Sequence, residues 1–228
     1  MEDRSLISVR DAAARLGVSA DAVRKRISAG SLAAERRGRD WSVDRRSVDR
    51  LGRQSVGPGR PLSPEMAWAI LLVASGDEHA AAGAVHNPRY WSRLRAWLRS
   101  HSLAEQASHL RSRALVEDFD THPSELPRIL ERPDVLATGI SAGDAVGLVG
   151  GGSAVEAYAP ASHRDALVDE HVLEPGPGPV RLRWVPDDIW ALLDGEGDRR
   201  APRAAVLLDL LEHDDPRARR EAARALAR

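Results

Sequence analysis

Two helix-start signals, Ser8 and Ser19, lie eleven residues apart near the start of the chain, and each is followed by an apolar-patterned stretch that ends at a glycine. This arrangement leaves few options for the first thirty residues. Ser8 is placed to cap a helix over residues 9–16, with Asp11 in the first turn, where the helix dipole favours negative charge. Ala12, Ala13 and Leu16 give that helix a small apolar face, and Gly17 supplies the left-handed stop. Ser19 caps a second helix over residues 20–29, closed by Gly30. Helix, glycine-containing turn, helix is the outline of a helix-turn-helix unit.

At about 100° per residue, Val23 and Ile27 of the second helix share a buried face. Asp21, Lys25 and Ser28 then face outward, flanked by Arg24 and Arg26. Residues 31–35 and 41–43 read as two short strands joined by the tight basic turn Arg36-Arg37-Gly38-Arg39-Asp40, with Trp41 packed beneath. Asp44 is expected to cap a helix over residues 45–51. A basic hairpin after two helices is placed like a wing that touches the DNA backbone, while Arg and Lys on the second helix can reach guanine edges or phosphates. Asp21 suits either a cytosine amino group or its own helix N-terminus.

Segment 6–51 therefore resembles the excisionase/MerR-type winged helix-turn-helix. The resemblance is carried by Ser8-Val9-Arg10-Asp11-Ala12-Ala13-Ala14-Arg15-Leu16-Gly17-Val18-Ser19, Gly30-Ser31-Leu32 and Gly38-Arg39-Asp40-Trp41. It departs from the pattern at Ala33-Ala34, where that family often has a proline-containing strand. It implies double-stranded DNA as a partner, with Ser19, Asp21, Arg24, Lys25, Arg26, Ser28, Arg36, Arg37 and Arg39 as the contact residues.

Charge follows the same division. Residues 1–60 hold 14 Lys/Arg against 8 Asp/Glu, whereas the remainder holds 19 against 26, so a head of +6 sits on a body of −7. Of the 33 basic residues only Lys25 is a lysine. Gly57-Pro58-Gly59 and Pro61 mark a linker over residues 53–64 between a domain at 1–52 and a body at 65–228. Ser63-Pro64-Glu65 opens an apolar helix through Ala74. Residues 89–99 are amphipathic, with Tyr90, Trp91, Leu94, Trp97 and Leu98 opposite Arg93, Arg95 and Arg99. Ser102-Leu103-Ala104-Glu105 is a capping box expected to open a helix to about residue 114, and a sub-boundary is expected near 114–134. Beyond it, strands are expected at 135–138 and 155–158, a half-buried strand at 180–185, and helices at 141–146, 163–170 (capped by Ser162), after Pro186, at 202–213 and at 217–227. The expected class is mainly α with short β elements (α+β): a winged helix-turn-helix plus a larger helical and α+β C-terminal domain.

The C-terminal half resembles AbiEi-type antitoxins in the succession Thr138-Gly139-Ile140-Ser141-Ala142, Val155-Glu156-Ala157-Tyr158, Val180-Arg181-Leu182-Arg183, Ala201-Pro202-Arg203-Ala204-Ala205-Val206-Leu207-Leu208-Asp209-Leu210-Leu211 and Asp215-Pro216-Arg217-Ala218. That likeness implies an autoregulating repressor that neutralises a nucleotidyltransferase toxin. The alternative from the head alone is an excisionase-like recombination accessory factor or another MerR-like regulator.

With no cysteine, thiolate chemistry and cysteine-based zinc sites are excluded. The eight histidines lack the spacing of a zinc pair, Gly150-Gly151-Gly152-Ser153 lacks the lysine of a P-loop, and no Gly-x-Ser-x-Gly occurs. The expectation is a non-enzymatic regulator without cofactor or metal. The apolar run 66–74 is too short for a bilayer and no signal-like segment follows Met1, which places the expected chain in the cytoplasm, with no membrane partner.

Overall fold

Side-chain caps set most helix starts in this protein. The computed structural model describes residues 6–38, 40–55, 61–85, 87–147, 152–193 and 199–227. Strand β1 (Leu6–Ser8) runs into helix α1 (Val9–Leu16), whose first turn is closed by Ser8 Oγ accepting from the Asp11 amide, and Gly17 ends it at φ 63°. Ser19 Oγ accepts from the Ala22 amide to start α2 (Ala20–Ser28). Strands β2 (Ala34–Arg37) and β3 (Asp40–Asp44) follow, then α3 (Arg45–Ser55), where Asp44 accepts from the Arg46 amide at 2.7 Å. The sheet order is β1-β3-β2, all antiparallel, over a small core of Ala12, Ala13, Val23, Leu32, Val43 and Val48.

Three features here differ from the sequence-based expectation. Strand β1 adds to the sheet because Leu6 and Ile7 pair with Asp44 and Val43, a long-range registration that local periodicity does not report. The hairpin is shifted by two residues, so Arg36 and Arg37 are strand residues opposite Trp41 and Asp40, not turn residues. Helix α3 continues through Ser55, into the expected linker. Residues 56–60 of that linker lie outside the described residues.

Ser63 caps α4 (Pro64–Ala74), with Pro64 at the first position and Glu65 in the first turn. This helix is buried on most sides, as its apolar run from Met66 to Ala74 requires, and Trp68 donates Nε1–H to the Arg113 carbonyl at 2.7 Å. Helices α5 (Glu78–Ala84) and α6 (Pro88–Ser100) complete the middle section. The capping box at 102–105 opens no α-helix. Turns lead instead to a 3-10 helix over Ala107–Arg113, which buries Leu110 against α4, and the His109 carbonyl accepts from the Leu62 amide at 3.0 Å. A capping signal alone does not offset the entropy of ordering a helix without a matching apolar stripe to bury.

The second sheet has strand order β5-β6-β8-β4-β7. In chain order it is β4 (Leu115–Asp120), α7 (Glu125–Glu131), β5 (Leu136–Ala137), a 3-10 helix over Gly139–Val146, β6 (Val155–Pro160), α8 (Arg164–Glu170), β7 (Glu174–Pro175) and β8 (Val180–Val185). Strands β6 and β8 are parallel and the other pairs antiparallel. Helices α9 (Asp187–Leu193), α10 (Arg203–Glu212) and α11 (Pro216–Leu226) close the chain, α11 being capped by Asp215. β4 runs through the expected sub-boundary as an inner strand. The 141–146 element is 3-10, and Ser162 bonds to Asp187 instead of capping α8.

The largest correction concerns β8. All six of its residues are buried, not half of them. Val180, Leu182 and Trp184 join Phe119, Leu126 and Val155 in one apolar cluster. Arg181 and Arg183 are buried on the opposite face, Arg183 under α10. The molecule is thus mainly helical with two small sheets, an α+β class. Among the described residues no helix is long and apolar enough to cross a membrane.

Candidate nucleic-acid interface

The apolar stripe of α2 fixes which of its side chains face out. Val23 is fully buried and Ile27 packs on the same small core, so Asp21, Arg24, Lys25 and Ser28 are exposed together, as the helical wheel requires. Lys25 makes no hydrogen bond or ion pair with the described residues. Arg24 donates Nη1–H to Asp21 Oδ1 at 2.7 Å along the helix surface. The Ser19 hydroxyl is committed to the helix cap at 3.2 Å. Arg26 does not share the open face: it is half-buried and its Nη1 is enclosed with no hydrogen-bond partner.

On the hairpin, Arg36 is exposed and its guanidinium stands 5.9 Å from the centre of the half-buried Trp41 ring, a cross-strand cation–π pair. Trp41 is thus half-buried on the hairpin with one face turned to an arginine, and it does not join the small core beneath, as the sequence suggests it would. The Arg37 backbone pairs with Asp40, and Arg39 lies outside the described residues. An open concavity of about 560 Å³ is lined by residues 6–10 of β1 and the start of α1, by Arg24 of α2 and by Asp40, Trp41 and Ser42 of β3. Arg10 is the cation that helix-face reasoning on α2 omitted; it starts α1 and reaches the same hollow. On the other side Ser28 borders a groove shared with Glu117, Arg164 and Gly176 of the second sheet region. Arg24 and Ser28 thus line different hollows.

A second ensemble was not legible in the sequence. Asp209 and Glu212, three apart on one face of α10, meet Arg183 of β8 and Arg113 of the 3-10 helix. Every nitrogen of Arg113 has a partner: Nη2 bonds to Asp209 at 2.6 Å and Glu212 at 2.9 Å, Nε to the Tyr158 hydroxyl at 2.9 Å, and Nη1 to the Leu110 carbonyl at 3.1 Å. Thr138 donates to the other oxygen of Asp209. Arg183 and Asp209 are each 0% exposed. The Arg183 guanidinium lies 3.0 Å from Asp209, 3.6 Å from Glu156 and 3.8 Å from Glu212, with none of them in hydrogen-bond alignment.

Burial works against the charge on both arginines, and the surrounding carboxylates more than offset it, holding both guanidinia charged. Burial pushes the Glu156 carboxyl up to about 7, against the pull of Arg183 and with Asp209 adding to it. Glu156 Oε2 has no hydrogen bond and fits only because residue 139 is glycine: a Cβ there would stand 1.8 Å from it, at φ 50°. The network then runs outward. Arg181 grips Asp118 with two hydrogen bonds at 2.7 and 3.1 Å, and Asp118 also accepts from Arg50 of α3 at 2.9 Å. Arg50 in turn lies 3.6 Å from Asp214. The basic N-terminal unit is thereby tied through α3 to β4 and to the turn before α11.

Among the described residues no group of three or more His, Asp or Glu could hold a metal ion. Asp187 accepts from Ser162, Asp215 caps α11, and Asp214 faces Arg50. The chain matches no protein-family model, no curated protein and no solved structure.

Proposed function

We propose that this chain is a sequence-specific, double-stranded-DNA-binding transcriptional repressor whose head is a winged helix-turn-helix of the excisionase/MerR type. The observation that carries this reading is the shared exposure of Arg24, Lys25 and Ser28 on one short helix, with Arg36 exposed on the adjoining hairpin. Lys25 and Arg24 read base edges, and Arg36, with Arg10 across the concavity, holds phosphates. The Arg24–Asp21 pair does not oppose this. An exposed i,i+3 pair is worth about 0.2–0.5 kcal/mol, less than the roughly 1–3 kcal/mol of a good bidentate base contact.

Full-length protein titrated onto a duplex from its own promoter tests the proposal. The two phosphates held by Arg10 and Arg36 give the head a slope of log affinity against log salt near −1.8, about −0.9 per contact. Arg24→Ala relaxes base preference, whereas Arg36→Ala weakens all sequences alike. A flat salt response, or equal effects of the two changes on every duplex, overturns it.

The likeness of the C-terminal half to AbiEi-type antitoxins extends the proposal to a partner. The body would neutralise a nucleotidyltransferase toxin encoded beside it, and the head would repress the shared operon. Co-expression with the adjacent nucleotidyltransferase gene relieves growth arrest on this reading. Unrelieved arrest at equal expression removes the antitoxin role and leaves the DNA-binding head to stand by itself.

A further inference from the structure

Residues 114–215 hold 8 basic and 21 acidic residues, yet α11 immediately afterwards carries Arg217, Arg219, Arg220 and Arg224 against the single acid Glu221. A helix that only needs solvation interleaves both signs, because i,i+4 pairs stabilise it and like charges at that spacing do not. Here the inward face is apolar: Ala218 and Ala222 are buried in the core beside α10, with Ala225 and Leu226 packed at its margin. Arg217, Arg220 and Arg224 are exposed at spacings of three and four, which makes one row. Arg224 is paired with Glu221 at 2.8 Å, whereas the side chains of Arg217 and Arg220 have no partner among the described residues. Arg219, between them, is tied to the His213 and Asp214 carbonyls and braces the helix start.

The position of this row matters as much as its charge. Asp214, two residues before α11, faces Arg50 of α3, the helix that closes the N-terminal unit. The arginine row therefore begins beside the proposed DNA-binding head. At 1.5 Å per residue it extends about 10 Å on a rigid helix, long enough for three guanidinia to meet successive phosphates of one strand.

From this juxtaposition we propose that α11 is a second DNA-backbone contact surface, engaging phosphates of the same duplex flanking the segment read by α2. The inference rests on the DNA-binding reading of the head. Because the contacts are to phosphate alone, they add affinity and salt dependence without adding sequence preference.

The test uses full-length protein carrying Arg217→Gln, Arg220→Gln and Arg224→Gln together. All three side chains are exposed, so the melting temperature serves as a check that the fold is intact. On a duplex extended well beyond the α2 site, the triple variant loses about 2.7 from the steepness of the salt slope, at 0.9 per phosphate. Between 50 and 200 mM salt, wild type then loses about 40-fold more affinity than the variant. A Lys25→Ala, Arg36→Ala protein is the second arm. If that protein is impaired while the triple variant keeps the wild-type slope, the α11 proposal is overturned and the head reading survives. If wild type shows no salt-dependent binding at all, both fall.

Discussion

Replacing Asp209 by asparagine removes one charge from the centre of the molecule and turns one of its two accepting oxygens into a donor facing Arg113 or Thr138. Asn has the same shape, so no cavity is created, and its carbonyl can still accept from Thr138 or Arg113. What is lost is the anion that faces Arg113 at 2.6 Å and Arg183 at 3.0 Å. A unit-charge pair at 4 Å and an effective dielectric near 20 is worth about 4 kcal/mol. Two such pairs disappear, and part of that is returned because Glu212 and Glu156 no longer repel a third carboxylate. The expected net loss is about 3–5 kcal/mol, the range for breaking a buried ion pair from one side. Against a total stability of roughly 5–15 kcal/mol, that is about a fifth of the total or more. Urea unfolding followed by tryptophan fluorescence measures it, because Trp68 is buried beside Arg113. Arg183→Met completes a double-mutant cycle. Removing both members restores balance, so the double variant should cost about 1–3 kcal/mol less than the sum of the single changes. A loss below about 1 kcal/mol for Asp209→Asn, or strict additivity in the cycle, would refute the electrostatic account of this core.

Two further outcomes follow from the same network. The Glu156 carboxyl is held at about 7 in the folded chain, above its ordinary 4.5, so between those values the folded state keeps a proton that the unfolded state has released. Stability therefore falls as pH rises across that window, by up to about 3 kcal/mol at roughly 1.4 per pH unit, and Glu156→Gln abolishes the fall in a series of melts from pH 4.5 to 8; parallel profiles for the two proteins would show that Glu156 does not titrate there. His213, which burial holds below its ordinary value, acts in the opposite direction and lies 4.0 Å from Glu156, so both proteins are compared in a His213→Gln background. Gly139→Ala meets a φ of 50° and the Glu156 carboxylate at once, so it should cost about 1–3 kcal/mol in backbone strain plus the displacement of Glu156, and Glu156→Ala in the same chain should recover only the second part in thermal melts.

Local chemistry made the helix starts legible. Ser8, Ser19, Ser63 and Asp215 each cap the helix that their sequence announces, because the donor they satisfy lies two or three residues away. The outward face of α2 was legible for the same reason: one buried valine fixes the rotation of nine residues. What covers a face is a different kind of information. The period-two pattern of 180–185 correctly puts Arg181 and Arg183 on one side of β8, but it does not reveal that α10 arrives there with Asp209 and Glu212. Glu117 and Asp118 of β4 look like solvated acids in sequence, and their partners Arg164 and Arg181 lie 47 and 63 residues away. Arg26 shows the same limit on the candidate interface: its neighbours Lys25 and Arg24 are open, yet its own guanidinium turns inward. Charge runs and caps are properties of a segment, whereas burial of a charge belongs to the pair of segments that meet. A count of basic residues therefore overstates an interface wherever the fold has already supplied a counter-ion. It omits a cation, as with Arg10 in the hollow that Arg24 also lines, wherever folding brings together residues that the sequence keeps apart.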